Sequence, residues 1–119
     1  MIDEKIHMRY CLCLDLKDDT ELINEYEKHH RNVWPEVLFN LKNSGILSAD
    51  IFRWQNRLFM ILETNKSFTF ENKSRLDQEN SKVLEWEELM WKYQQKLPGV
   101  KDGSKWQQMN KIFSVDFLG

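Results

Sequence analysis

At 119 residues the chain suits one domain, 1–119, able to bury its own core without disulfides or a structural metal. Lys and Arg number 17 against 19 Asp and Glu, well mixed for a net charge of -2, which leaves no footprint for nucleic acid or an anionic membrane. No apolar run approaches the ~18 residues of a membrane span, and Met1-Ile2-Asp3-Glu4-Lys5 has no hydrophobic signal region, so a soluble cytoplasmic protein is expected.

From Ile6 to Leu16 the residues alternate, with Met8, Tyr10, Leu12, Leu14 and Leu16 on one side and His7, Arg9, Cys11, Cys13 and Asp15 on the other, which predicts a first strand. Cys11 and Cys13 share a face in a geometry unsuited to a mutual disulfide and read as free thiols. Lys17-Asp18-Asp19-Thr20 supplies turn and N-cap chemistry, and helical periodicity continues to about Asn43. This predicts one helical stretch that kinks or restarts near Trp34, because Pro35 removes a backbone donor and clashes with the preceding turn, and that is closed by Ser44-Gly45. Ile46 to Trp54 and Arg57 to Thr64 read as two strands joined at Gln55-Asn56. The second is apolar on both faces, with Leu58, Met60 and Leu62 on one and Phe59 and Ile61 on the other. One helical layer covers only one face, so a second subunit is expected on the other, in a homodimer.

Lys66 to Asn80 is polar, with Phe68 and Phe70 as isolated anchors, and reads as a loop containing one short helical turn. From Ser81 to about Leu97 a stripe of Val83, Trp86, Met90, Tyr93 and Leu97 predicts the second long helix, with Leu84 and Trp91 outside the stripe. Pro98-Gly99 ends it, Lys101-Asp102-Gly103-Ser104 turns the chain, and Trp106 to Phe117 reads as the last strand. The order strand, helix, strand, strand, helix, strand is that of a ferredoxin-like α+β sandwich, a four-stranded antiparallel sheet with helices on one face.

Tyr26, His30, Val33 and Val37 share one helical face with Leu22, Ile23 and Leu41, so His30 places an imidazole in an apolar stripe while His29 projects to its edge. Such a residue is more often a hydrogen-bonded core histidine than a catalyst. Beside Tyr26, and next to backbone groups released by Pro35, it is also suited to exchanging a proton near neutrality. Trp91 lies off its stripe among Glu87, Glu88 and Gln95; it packs in a dimer or under the 66–80 loop, or it walls a pocket, and aromatic walls suit sugars. Trp54, Trp86 and Trp106 are explained by structure alone. His7, His29 and His30 lack partners at metal-site spacing, and no phosphate loop, dinucleotide fingerprint or Ser-His-Asp signal occurs. Cofactor-free proton transfer by His30, Tyr26 and Trp91 is the chemistry these residues can serve.

The sequence resembles the L-rhamnose and L-fucose mutarotases over nearly its whole length. The resemblance rests on Glu25-Tyr26 through His30 to Val33-Trp34-Pro35-Glu36, on Leu41-Lys42, Gly45 and Asn56-Arg57-Leu58-Phe59, on Trp91-Lys92-Tyr93 leading to Pro98, and on Met109 through Lys111-Ile112-Phe113. It implies a small homodimer of the dimeric α/β barrel type, without cofactor or metal, that interconverts anomers of a 6-deoxy-L-hexose. His30 matches the family's acid/base histidine, Tyr26 its partner and a sugar contact, and Trp91 a second sugar contact. Trp34 and Met90 complete the expected sugar-binding set. Met90 stands where the motif usually carries another Trp, and Ala49 where an aromatic contact is expected, so the resemblance leans toward L-fucose without separating it from L-rhamnose. Two other readings share the fold: a dimeric oxygenase or haem-handling protein with His30 as an axial ligand, and a sugar-binding module without catalysis.

Overall fold

Leu12, Leu14 and Leu16 are buried along β1, Met8–Leu16, on the side the alternation assigned to the core. A computed structural model of the chain describes residues 8–100 and 105–118; the expectations for Ile6, His7 and the turn at 101–104 lie outside the described residues. Asp19 caps α1, Thr20–His30, its carboxylate accepting from the Leu22 N–H at 3.0 Å. Of the two outcomes expected at Pro35, a kink or a restart, the chain takes the restart. α1 ends at His30, Trp34 takes an extended conformation, and α2, Pro35–Asn43, starts afresh with proline in its first turn. The physical reason is that proline disfavours helical geometry in the residue before it while fitting the first turn of a new helix.

Gly45 joins α2 to β2, Ile46–Trp54, at φ +101°, a conformation that favours glycine, and a Cβ there would also have to displace the Asn65 amide oxygen, 2.6 Å away. β2 and β3, Arg57–Thr64, form the expected hairpin, in which Gln55 takes a positive φ and the Asn56 side chain donates to the Leu16 carbonyl at 3.0 Å.

The 66–80 segment departs from expectation: α3, Phe70–Gln78, is a helix of nine residues rather than one turn in a loop. Thr69 caps it by accepting from the Asn72 N–H, and Lys73–Asp77 and Arg75–Glu79 pair one turn apart. Capping and ion pairs sustain this helix in place of an apolar stripe, which is why periodicity missed it. α4, Ser81–Trp91, is capped by Asn80 and stops six residues short of Leu97. Gln94–Gln95 instead form β4, a short strand against Asp15 and Leu16 of β1. The last strand is likewise shorter than expected: β5, Gln107–Gln108, pairs with Leu12 and Cys13, and the Met109 N–H donates to the Cys11 carbonyl.

The sheet is antiparallel in the order β2-β3-β1-β4, with β5 also on β1, and the helices cover one face. The fold is the α+β ferredoxin-like sandwich expected. Leu16, Tyr26, Val37, Leu58, Val83, Trp86, Met90 and Tyr93 make the larger core cluster, between sheet and helices, and Leu12, Ile46, Leu62 and Phe68 the smaller. No helix among the described residues is long and apolar enough to cross a membrane.

Candidate active site

His30 is the last residue of α1, one turn after Tyr26, and the break before Pro35 leaves it at the end of a helix instead of inside one. Its Nδ1 lies 3.0 Å from the Tyr26 carbonyl oxygen. A carbonyl only accepts, so Nδ1 carries the proton, and in the neutral ring Nε2 keeps its lone pair. Burial pulls the His30 pKa below 6.5, helped by neighbouring His29 and opposed by the bond to the Tyr26 carbonyl. His30 is therefore a neutral imidazole at pH 7. Its ring lies 4.4 Å from that of Tyr26 and 5.6 Å from Trp86, centroid to centroid.

Tyr26 is 3% exposed, and burial pushes its phenol up to about 12, with the Gln94 amide beside it pulling weakly the other way. The hydroxyl stays protonated through the pH range in which proteins work and remains a hydrogen-bond donor. A base without its proton and an acid that keeps its own thus stand side by side.

Both border a cavity of about 480 Å³, a volume suited to a small organic ligand. Its walls combine apolar groups, among them Val83, Trp86, Met90 and Met60, with the polar side chains of Gln94, Asp77 and Lys73. Asp77 takes the Lys73 ammonium at 2.7 Å on one oxygen and the Asn40 amide at 3.3 Å on the other, tying α3 to α2 at the cavity wall. Lys105 donates to the Glu87 carbonyl at 3.0 Å, and burial lowers its pKa. A second hollow, of about 450 Å³, adjoins His30 from the side of Glu27, Arg31 and Arg53, where Arg53 pairs with Glu27.

Tyr26, His30 and Met90 are thus brought together, and Ala49 lines the same cavity. Two expected sugar contacts are not. Trp34 packs edge-on against Trp86 at 5.3 Å and buttresses the wall from behind, outside the lining. Trp91, at the end of α4, also lies outside it, 37% exposed with the Lys105 ammonium 4.8 Å above its ring. The off-stripe position that singled out Trp91 leaves its indole outside the lining, beneath the ammonium of Lys105, which does line the hollow. Trp86, read as core alone, is both core and wall. His29 is occupied elsewhere: its Nε2 lies 3.1 Å from the Tyr93 hydroxyl, which donates to Glu25 at 3.0 Å.

Gln94, Asp77 and Lys73 escaped the sequence reading because they fall in the two segments whose elements were misassigned. The proximity of Gln94 to Tyr93 in the Trp-Lys-Tyr motif was the available signal. Among the described residues no three His, Cys, Asp or Glu side chains are grouped to hold a metal ion.

The sandwich and its cavity define a ferredoxin-like protein in which one imidazole and one phenol line a cavity of small-molecule size. Residues 9–115 match the family model described as L-rhamnose mutarotase, and the chain belongs to that family of sugar mutarotases. It is 39% identical over 109 residues to an L-fucose mutarotase of Xanthomonas campestris pv. campestris, covering 90% of this chain and 87% of the relative. Among solved structures it resembles an L-rhamnose mutarotase from Formosa agariphila, with a TM-score of 0.68 at 21% identity over 92% of this chain and all of that one. It also resembles a dimeric ferredoxin-like protein from an uncultured marine organism, with a TM-score of 0.55 at 13% identity over 95% of this chain and 96% of the other. At those identities the two structures speak for the fold.

Proposed function

We propose that the protein interconverts the α and β anomers of a 6-deoxy-L-hexopyranose, preferring L-fucose to L-rhamnose, with His30 and Tyr26 as the proton-transferring pair. The observation that carries this reading is the hydrogen bond from His30 Nδ1 to the Tyr26 carbonyl, which leaves Nε2 as the basic nitrogen at the cavity. Nε2 takes the proton of the anomeric hydroxyl as the bond from C1 to the ring oxygen breaks, and the ring oxygen is protonated in the same opening. The aldehyde rotates about its bond to C2, the ring closes on the other face of C1, and the protons return. Tyr26, held protonated, supplies a hydrogen bond or a proton to the reacting oxygens. Positioned groups of this kind give about 10²- to 10⁴-fold each, an adequate scale for a reaction that already runs unaided in water. The preference for L-fucose is supported by Ala49 and Met90, which widen the pocket where aromatic walls are expected, and by the similarity to the Xanthomonas protein. Saturation-transfer NMR on both sugars tests activity and preference together; exchange at the uncatalysed rate for both would refute the proposal.

The pH dependence follows from the neutral imidazole. Because burial depresses the His30 pKa, the base form persists below pH 6.5, and activity is lost only as the pH falls through the depressed value. Tyr26 adds no loss on the alkaline side below about pH 10, since its own titration is displaced upward. A profile of kcat/KM with its acid limb above pH 6.5 would contradict this assignment.

The same reading takes the protein to be a homodimer. The sheet face away from the helices carries Phe59 and Ile61, with Phe52 57% and Trp54 73% exposed on the neighbouring edge strand, and Ile112, Phe113 and Phe117 extend beyond β5 almost fully exposed. Exposed apolar side chains in this number support an interface with a second copy. Light scattering is expected to give twice the chain mass at micromolar concentration, and Ile61→Asp to dissociate or unfold the protein; a well-folded wild-type monomer would end the argument.

A further inference from the structure

Gln94 is 6% exposed, belongs to the two-residue strand β4 and lines the cavity that holds His30 and Tyr26. Its Oε1 is buried and, among the described residues, has no hydrogen-bond partner. Buried amide oxygens are almost always paired, because one left bare loses its bond to water and gains nothing in return. Asp77 of the same wall is engaged by Lys73 and Asn40, and Lys105 by the Glu87 carbonyl. An amide oxygen can only accept, so what completes it must bring an O–H or N–H.

We propose that Gln94 Oε1 accepts a hydrogen bond from one hydroxyl of the bound sugar, making Gln94 a specificity-determining residue of the pocket. This rests on the mutarotase reading and adds a contact that motif and stripe did not mark. A pocket wall that has kept a bare acceptor discriminates strongly against a ligand lacking the matching hydroxyl, because the acceptor then stays unpaired in the complex.

The test is a cycle between the side chain and the substrate. kcat/KM for anomer exchange is measured by saturation-transfer NMR on L-fucose and its 2-, 3- and 4-deoxy analogues, for wild type and Gln94→Leu, which keeps similar bulk without an acceptor. Wild type is expected to lose about tenfold or more on one deoxy sugar, Gln94→Leu to lose as much on L-fucose, and the variant to lose nothing further on that deoxy sugar. Equal losses by the variant on all four sugars, or wild-type rates throughout, would assign Gln94 a structural role only. If Gln94→Leu does not fold, Gln94→Glu decides, since it keeps the acceptor and should keep the wild-type discrimination; a folded Gln94→Glu without it overturns the proposal. Wild type without exchange on any sugar would remove the mutarotase reading instead. The same cycle is then read from sugar-binding affinities, where discrimination that disappears in Gln94→Leu supports the contact and its absence from wild type refutes it.

Discussion

His30→Asn is expected to abolish most catalysed anomer exchange, a loss of about 10²- to 10⁴-fold, while the protein stays folded. Asparagine keeps polarity and approximate size and can still donate to the Tyr26 carbonyl, so the fold loses little; what disappears is the basic nitrogen at the cavity. His29→Asn is the control. His29 bonds to the Tyr93 hydroxyl, and because Glu25 still holds Tyr93, the substitution should cost about 0.5–1.5 kcal/mol in a circular dichroism melt and leave exchange near wild type. Tyr26→Phe should fall between the two, since it removes a hydroxyl and spares the imidazole. A folded His30→Asn variant exchanging anomers at the wild-type rate would rule out His30 as the acid/base group and shift the reading to sugar binding without catalysis.

Trp86→Ala carries the largest expected loss of stability, about 3–5 kcal/mol. Its indole is 7% exposed and is met by His29, His30 and Trp34, so truncation opens a void at the centre of the larger core cluster and enlarges the cavity beside His30. Trp91→Ala should cost much less, because its ring is partly exposed and faces the ammonium of Lys105. Equal destabilisation by the two substitutions would show Trp91 to be as much core as Trp86. A loss of sugar affinity in Trp91→Ala at unchanged stability would restore it as a sugar contact made outside the described cavity.

The central elements were legible because their signals are dense. β1 alternates with few interruptions, β3 is apolar on both faces, and the break at Pro35 follows from a missing N–H and a steric clash. α3 was not legible, since Thr69 and the pairs Lys73–Asp77 and Arg75–Glu79 hold a helix that has little apolar stripe to display. The end of α4 was misplaced for a related reason. Tyr93 and Leu97 extend the helical period past Trp91, but Tyr93 is buried with its hydroxyl between His29 and Glu25, and the following Gln94 joins the sheet beside Leu16.

His30 and Tyr26 were marked as a pair by the sequence itself, because i and i+4 on a helix meet whatever surrounds them. The sandwich order followed from the alternation of strand and helix periods, and the family from motifs that stand in the chain as written. Tertiary structure decided the rest. Which nitrogen of His30 carries the proton depends on a carbonyl within reach, and the depressed pKa depends on burial by elements far away in the chain. The cavity wall is assembled from α1, α2, α3, α4, β2, β3 and β4, so Trp86 lines it while Trp91, five residues on, does not. Gln94 belongs to the site only because β4 pairs with β1, a contact between residues far apart in sequence that no local period encodes.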